Sequence, residues 1–390
     1  MFGHSVRLFK LFGFEVKADA SWLFIVALIS WTLAVGYYPY RYHGLSASDY
    51  WWMGIVSALA LFGSIVVHEF SHSLVARRYG LPMKGITLFL FGGVAEMGDE
   101  PGDPKTEFRM AIAGPIASVV IGCVFYLIYQ AGGPAWSIPV GGVIAYLAWI
   151  NWILAAFNLI PAFPLDGGRV LRSALWQWKG DVRGATRIAS SIGSGFGMVL
   201  IILAVWQLFV GSFINAMWYF LLGLFLRNAA EASYRQLVVR KALEGEPVRR
   251  FMNADPVTVS PDLSIEDLVE DYIYTRHFKM FPVVADSQRL AGCVTTSGVK
   301  SVPRAEWRSH SVREVLQPCT PDNTIGPDTD AVQALAQLGK SGQSRLMVVD
   351  RDRLVGVLAL KDLMGFITAK LDLDDGNVMP GPFPRLHPQN

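Results

Sequence analysis

The stretch HEFSH at residues 68–72 contains the groups that metal-assisted hydrolysis requires. Positions i and i+4 of a helix share one face, so His68 and His72 can present two imidazole nitrogens to one metal ion, with Glu69 one position round the helix. Zn²⁺ bound by two histidines and a third ligand keeps a water in its open position and lowers the pKa of that water to about 7. The glutamate is left to accept the proton. The stretch therefore indicates a hydrolytic site in which water becomes a nucleophile at neutral pH.

The segment around this motif is otherwise suited to lipid. Residues 53–76 are mostly apolar, and an Asp, Lys or Arg at the centre of such a helix costs ~2.5–3.5 kcal/mol on the insertion scale. Ionisable residues without a task are disfavoured there, and those that occur inside a membrane mark functional sites by default. A chance occurrence of the pattern is the weaker interpretation.

A third ligand must come from another segment, and Asp166 is the leading candidate. It lies in NLIPAFPLDGGR, residues 158–169, at the end of a long apolar run. Pro161 and Pro164 interrupt helical hydrogen bonding, and irregular backbone at membrane depth is tolerated only where it is buried in protein or lines a cavity. The alternative is that Asp166 merely caps a helix next to Arg169.

Between these two motifs, residues 83–100 are too few to span a membrane as a helix, and a glycine pair separates two β-prone runs. This pattern predicts a strand or a hairpin. A transmembrane substrate helix hides its carbonyls in internal hydrogen bonds, so cleavage requires local unwinding, and an exposed strand edge offers replacement partners. Gly92 and Gly93 would let the two backbones approach closely. A hairpin that only packs against the helices is an equally open alternative.

The composition predicts a membrane-embedded half followed by a soluble half. Of the 390 residues, 52% are hydrophobic and 17% are charged, and most charged residues follow residue 227 or lie in short patches between apolar runs. About 20 apolar residues cross about 30 Å of hydrocarbon. Six segments meet this requirement, at residues 21–39, 53–76, 108–130, 142–163, 188–210 and 213–230.

Lys and Arg are concentrated on one side of these six segments. Because positively charged loops stay in the cytoplasm, we expect a multi-pass protein of the cell membrane with both termini cytoplasmic. Residues 1–20 lack the continuous apolar core of a signal peptide. The formal net charge of +2 indicates no nucleic-acid partner. Three scattered cysteines are too few for a disulfide framework or a cysteine-based zinc site.

Four sequence elements together resemble the site-2 protease family, the intramembrane zinc metalloproteases of regulated intramembrane proteolysis. They are HEFSH, FGG at residues 91–93, AGP at residues 113–115, and NLIPAFPLDGG, and they occur in the family's order. The resemblance covers roughly residues 20–230. It implies that the substrates are transmembrane segments of membrane proteins.

The same resemblance implies roles for individual residues. His68, His72 and Asp166 would hold one Zn²⁺ per chain, and Glu69 would be the catalytic base. Asn158 would position the substrate or stabilise the oxyanion. Every residue of the family's motifs is present in this sequence, which favours an active enzyme.

The C-terminal half contains a loose internal repeat with a period of 64 to 66 residues, in which Gly292 of the first unit matches Gly356 of the second. Each unit predicts a strand, a helix, two strands and a helix. The repeat resembles a tandem pair of cystathionine-β-synthase-type (CBS) domains, at residues 249–305 and 306–372. This resemblance implies a cytoplasmic α/β module that regulates the enzyme, binds adenine nucleotides such as ATP, ADP or AMP, and forms a homodimer.

The CBS nucleotide pattern is incomplete in both repeats. That pattern has a Thr or Ser after the glycine strand and an Asp three residues later. The first repeat has Thr295 followed by Gly298, and the second has Ala359 followed by Asp362. One mixed site could use Thr295 and Asp362. A purely structural or dimerising module is the open alternative.

These observations give a fold class and a domain organisation. We expect a polytopic α-helical membrane protein, with six transmembrane helices and a short membrane-associated β-hairpin, joined to an α/β cytoplasmic tandem CBS domain. The predicted boundaries are 1–232 for the membrane metalloprotease domain, 233–248 for a helical linker, 249–305 and 306–372 for the two repeats, and 373–390 for a disordered tail.

A different class of function is a CBS-regulated ion or metal transporter, in which intramembrane His and Asp line an ion path. A transporter is expected to show inverted repeats and paired broken helices in its membrane half. The HEFSH motif has no counterpart later in the apolar half, so the sequence favours the protease.

Overall fold

A computed structural model of the chain describes residues 5–11, 13–89, 92–97, 101–285 and 289–374. The chain divides into two compact units, Met1–Leu237 and Val238–Asn390. The predicted disordered tail lies outside the described residues, apart from its first two residues, which end the last helix.

Long helices form most of the first unit. They are α1 (Ala20–Thr32), α2 (Tyr38–Arg41), α3 (Ala47–Arg78), α4 (Pro104–Gly132), α5 (Ile138–Asn158), α6 (Asp166–Lys179), α7 (Val182–Phe209) and α8 (Phe213–Leu243). A π-helical segment, Leu33–Tyr37, joins α1 to α2, so that the two form one continuous helix.

Within the described part of the chain, five helical stretches are long and apolar enough to cross a membrane. They are Ala20–Arg41, Ala47–Arg78, Pro104–Ala135, Ile138–Asn158 and Val182–Phe209. The sixth segment expected from the sequence, residues 213–230, forms the first part of α8 and is not among these five. The chain is therefore a multi-pass helical protein with five clear candidate spans.

Side-chain caps set where the long helices begin. Ser46 and Asp49 form a capping box at the start of α3, and each side chain satisfies a backbone N–H that the first helical turn leaves free. The side chain of Asp103 caps α4, directly before a proline at the first helical position. The side chain of Asp181 caps α7 by accepting hydrogen bonds from the backbone N–H groups of Arg183 and Gly184.

A four-stranded sheet accompanies these helices. Its strands are β1 (Ser5–Leu11), β2 (Phe14–Asp19), β3 (Met83–Phe89) and β4 (Gly92–Met97), in that spatial order. Strand β2 runs parallel to β3, whereas β3 and β4 pair antiparallel, with Phe89 opposite Gly92. Strand β4 therefore lies at one edge of the sheet.

The sheet packs against the helix that carries the HEFSH motif. Its buried core includes Val16, Ile86 and Leu88 together with Phe70 of α3. The ring of Phe70 meets the ring of Phe14 edge to face, with their centroids 5.5 Å apart. Because Phe70 lies between the two histidines in sequence, it points to another side of α3, and the two imidazoles face away from this core.

The second unit contains two similar halves. The first half has α9 (Ile265–Asp267), α10 (Tyr274–Arg276), β5 (Met280–Val284), β6 (Leu290–Thr295) and α11 (Thr296–Val299). The second half has β7 (Thr324–Ile325), α12 (Ala331–Ser341), β8 (Arg345–Asp350), β9 (Arg353–Ala359) and α13 (Leu360–Asp374). In each half an antiparallel strand pair lies over its own cluster of buried aliphatic side chains.

Candidate metal centre

Helix α3 brings the two histidines of HEFSH to one buried face. The imidazoles of His68 and His72 have their Nε2 atoms 3.2 Å apart, and their ring planes are inclined by 79°. Two nitrogens that converge in this way suit a single metal ion, as the i and i+4 spacing predicts.

Asp166 opens helix α6 and joins the two histidines. Its Oδ2 atom lies 3.0 Å from Nε2 of His68 and 3.2 Å from Nε2 of His72. A Cβ on Gly167 would overlap the backbone of Leu159, and a Cβ on Gly168 would come within 2.5 Å of the backbone of Ala162. The two glycines thus let α6 begin close against the chain that precedes it, which explains why the aspartate is followed by GG.

The three ligand atoms fit one face of a zinc tetrahedron. Bonds from Zn²⁺ to His nitrogen and carboxylate oxygen are about 2.0–2.2 Å long, so the edges of that tetrahedron are roughly 3.3–3.5 Å. The observed edges of 3.0 to 3.2 Å are a few tenths of an ångström shorter. Within the described ranges, this is the one group of at least three His, Cys, Asp or Glu side chains that could hold a metal ion.

Helix α4 supplies a hydrogen-bond partner for each of the two imidazoles. Nδ1 of His72 donates a hydrogen bond to the carbonyl oxygen of Met110, 2.7 Å away. A carbonyl can only accept, so the proton is on Nδ1 and the lone pair of Nε2 is directed at the metal position. Nδ1 of His68 lies 2.9 Å from Oγ of Ser118, and the two atoms share a hydrogen bond. Such outer partners orient metal-binding histidines.

Gly114 of α4 leaves room beside the ligand nitrogens. A Cβ at this position would overlap Nε2 of both His68 and His72. The space that a methyl group would fill is therefore the space beside the Nε2 atoms of both imidazoles. The glycine of the AGP motif is therefore explained by the lack of room for a side chain beside the two imidazoles.

Glu69 contacts strand β4. A Cβ on Gly93 would come within 2.7 Å of Cγ of Glu69, so the strand can approach the glutamate only because this residue is glycine. For Gly92 the structure gives the backbone pairing with Phe89. Asn158 is half-buried and is the last residue of α5, eight positions before Asp166.

The two residues suggested for nucleotide binding have different surroundings. Asp362 lines a cavity of about 720 Å³ in the second unit. Thr295 does not line this cavity, and its hydroxyl instead accepts a hydrogen bond from the N–H of Gly298 at the start of α11. The structure does not bring the two together in this cavity.

The contribution of α4 was missed at the sequence level. Met110, Gly114 and Ser118 recur every four residues, which places them on one face of the helix. The available signal was the pair of small residues Gly114 and Ser118 at this spacing, since small residues allow helices to approach closely. The sequence does not show which helix they approach.

Two family models match the chain. Peptidase family M50 matches residues 56–134 and 127–204, and the CBS domain matches residues 248–302 and 312–369. Both segments that supply the three ligands lie inside the first match. The paired repeat expected from the sequence is confirmed by the second.

Proteins similar to this chain carry related names. The protein sll0528 of Synechocystis sp., named as a zinc metalloprotease, is 33% identical over 91% of this chain and 93% of its own length. Zinc metalloprotease MJ0392 of Methanocaldococcus jannaschii is 29% identical over 95% of this chain and 99% of its own length. The solved structure of a site-2 protease from Methanocaldococcus jannaschii is 31% identical, with a TM-score of 0.43, over 60% of this chain and 96% of that chain.

Proposed function

The chain belongs to peptidase family M50 and is a zinc metalloprotease of the site-2 protease type with a pair of CBS domains, and from this premise we propose that it cleaves transmembrane segments of membrane proteins in regulated intramembrane proteolysis. The observation that carries the proposal is the triangle of His68, His72 and Asp166. The histidines lie on the candidate span Ala47–Arg78, and the aspartate opens α6, eight residues after the candidate span Ile138–Asn158. A hydrolytic centre enclosed by spanning helices has access to peptide bonds that soluble proteases do not reach.

Each residue of the site has a separate role in the proposed hydrolysis. His68, His72 and Asp166 would hold the ion through three atoms that converge on one point. Zn²⁺ bound there would act as a Lewis acid that polarises the scissile carbonyl and acidifies a water molecule. Glu69, next to the first histidine, accepts the proton of the attacking water and delivers it to the leaving nitrogen. Asn158 would orient the scissile carbonyl or stabilise the oxyanion with its amide N–H groups.

Strand β4 would hold the substrate in an extended form. It lies at the edge of the four-stranded sheet, and its Gly93 touches Glu69. A substrate segment that unwinds loses internal hydrogen bonds, and an edge strand can replace them by β-addition. Gly92 and Gly93 would then form the substrate-binding part of a hairpin associated with the membrane.

We also propose the membrane arrangement that the distribution of Lys and Arg favours. Six spans, with the first part of α8 as the sixth, would put both termini and the CBS pair on the cytoplasmic side of the cell membrane. The metal site would then lie towards the cytoplasmic face, because α3 and α5 both end near it.

Replacement of Glu69 by Gln tests the mechanism directly. The variant keeps the size of the side chain but cannot take up a proton, so the purified protein should retain stoichiometric zinc and lose cleavage of a reconstituted single-span substrate. Asn158→Ala should lower the cleavage rate with metal content unchanged. Cleavage at the wild-type rate by Glu69→Gln would refute the assigned base.

The CBS pair supports a second, regulatory proposal. Its cavity of about 720 Å³ is lined by Asp362 and by three cationic side chains, Arg250, Arg345 and Lys361. The carboxylate suits ribose hydroxyls, and the cations suit phosphate groups. We therefore propose that ATP, ADP or AMP binds here and adjusts activity or dimerisation.

Thr295 remains a candidate nucleotide ligand only if it acts outside this cavity. Calorimetry of the full-length protein with each nucleotide, beside Asp362→Ala, tests the site. Heat with the wild-type protein and none with the variant would support it, and no heat with any of the three nucleotides would reject it.

A further inference from the structure

A buried ion pair joins the helix that supports the two histidines to the helix that carries the third ligand. Nε of Arg172 on α6 donates to Oε1 of Glu107 on α4 at 2.6 Å, and Nη2 of Arg172 contacts the same oxygen. The relative exposure of Glu107 is 0%, and that of Arg172 is 5%. We propose that Glu107 and Arg172 are positioning residues that hold Asp166 in place as a metal ligand.

Glu107 belongs to the face of α4 that supports the histidines. Positions 107, 110, 114 and 118 are separated by three or four residues, so they lie on one side of the helix. Met110 and Ser118 hydrogen-bond to the two imidazoles, and Gly114 borders their Nε2 atoms. The carboxylate of Glu107 extends this face by one turn and fixes α6 relative to the histidine support.

Arg172 also holds the chain that leads into Asp166. Its guanidinium lies over the ring of Phe163, 5.2 Å from the ring centroid. The backbone N–H of Phe163 in turn donates to the carbonyl of Ala189 in α7. Asp166 therefore lies between two points fixed by the same arginine, one three residues before it and one six residues after it.

A role in stability alone does not account for this choice of residues. Replacing a buried ion pair by well-packed apolar side chains is often neutral or stabilising, because the charges lose their hydration. Here the cost of burial is increased by Oε2 of Glu107, which is buried and has no hydrogen-bond partner among the described residues. The planar fork of arginine does provide a fixed geometry, which a positioning role requires.

The test separates position from stability by replacing both charges. In the double variant E107L/R172M no buried charge is left unpaired, so the apoprotein should melt near the wild-type temperature. Its affinity for Co²⁺, measured by chelator competition on the full-length detergent-solubilised protein, should fall about 10- to 100-fold, the usual effect of losing an outer partner. The visible spectrum of bound Co²⁺ should also change.

A matched control is the exposed Arg–Glu pair on α8. Arg227 and Glu231 are 3.4 Å apart, with side chains 41% and 43% exposed. The variant R227M/E231L should bind Co²⁺ with wild-type affinity and spectrum. If E107L/R172M does not fold, R172K keeps the charge but loses the fork, and it should melt normally and bind Co²⁺ more weakly.

This inference rests on the proposed metal site, and the two can fail separately. Wild-type protein that binds no divalent ion would reject the site and the positioning role together. Wild-type binding, with unchanged affinity and spectrum in a folded E107L/R172M or R172K variant, would reject the positioning role alone.

Discussion

Gly114 of α4 and His72 of α3 are so close that a Cβ on the glycine would overlap the ligand nitrogen of the imidazole. A methyl group at this position would occupy the space that a bound metal ion requires. Both elements are helices in tight contact, and the overlapped atom belongs to a ring held by Met110, so it cannot move away easily.

Replacing Gly114 by Ala should therefore abolish metal binding. We expect purified Gly114→Ala to contain less than about a tenth of the wild-type zinc, on the scale of losses seen when a metal site is disturbed from its outer shell. Elemental analysis measures this directly. The control is Gly63→Ala on α3, where a Cβ has nothing within 4 Å. Full zinc content in Gly114→Ala would contradict the arrangement of α4 described above.

Removing the hydroxyl of Ser118 should weaken metal binding without abolishing it. In Ser118→Ala, Nδ1 of His68 loses its hydrogen-bond partner, and the ring is no longer held in its orientation. We expect metal affinity to fall about tenfold, as for other outer partners of ligating histidines. Chelator competition measures the affinity. Ser71→Ala is the control, because that hydroxyl donates to the backbone carbonyl of Val67 in its own helix.

A methyl group on Gly93 should impair catalysis while metal stays bound. Its Cβ would press on Cγ of Glu69, whose flexible side chain can turn aside but would then leave its position beside the metal site. A displacement of about 1 Å at a catalytic group costs about 100-fold in rate. We expect Gly93→Ala to keep full zinc and to lose that much of kcat on a reconstituted substrate.

The control for Gly93 is a glycine with open surroundings. Gly102→Ala adds a Cβ with nothing within 4 Å and should cleave at the wild-type rate. An equal loss in both variants, or no loss in Gly93→Ala, would show that contact with β4 does not govern Glu69.

The second unit should lose some stability as the pH rises through the folded-state pKa of His310. A hydrogen bond to Glu314, with a further contribution from Glu306, raises the pKa of His310 above its ordinary value. A raised folded-state pKa means that the contribution to stability is fully present below the unfolded pKa of about 6.5 and is lost as the pH rises through the folded value. We expect the urea midpoint of this unit to decrease over that range.

Variants at His310 and another histidine check the assignment. His310→Gln should flatten the decrease, because glutamine carries no proton to lose. His277→Gln serves as the control and should leave the decrease as in the wild type. A decrease that is identical in all three proteins would assign the pH dependence to other groups.

The convergence of His68, His72 and Asp166 was predictable because each motif determines its own local structure. HEFSH encodes its own geometry, since helix periodicity alone puts His68 and His72 on one face. Asp166 was predictable because prolines and glycines at the end of an apolar run require a protein-lined site. Pairing Asp166 with the histidines required only that α3 and α5 end at a similar depth in the membrane.

The supporting groups were not predictable because they depend on how helices pack. Nothing in the spacing of Met110, Gly114 and Ser118 shows that α3 is their neighbour. Glu107 and Arg172 are 65 positions apart, and each resembles an ordinary charge at a membrane boundary. Strands β1 and β2 were also missed, although residues 5–19 alternate between apolar and polar side chains over part of their length.

The nucleotide site shows the same limit within a repeat. Thr295 stands at the hydroxyl position of the motif in the first repeat, and Asp362 stands at the acidic position in the second, so a mixed site required both repeats to face one cavity. In the structure the hydroxyl of Thr295 caps a short helix, whereas Asp362 faces a cavity. The similarity of the two repeats in sequence did not show which residues of each repeat line the cavity.

The ring of Phe70 has a mechanical consequence. It packs α3 against the sheet on the side opposite the imidazoles, so the helix is held by contacts on two opposite sides. A peptide that binds to the edge of the sheet would therefore transmit its displacement to α3, the helix that carries the two histidines and Glu69. Substrate binding at the sheet and hydrolysis at the metal site would then depend on one rigid body. Greater mobility of either the sheet or the helix would disturb the other.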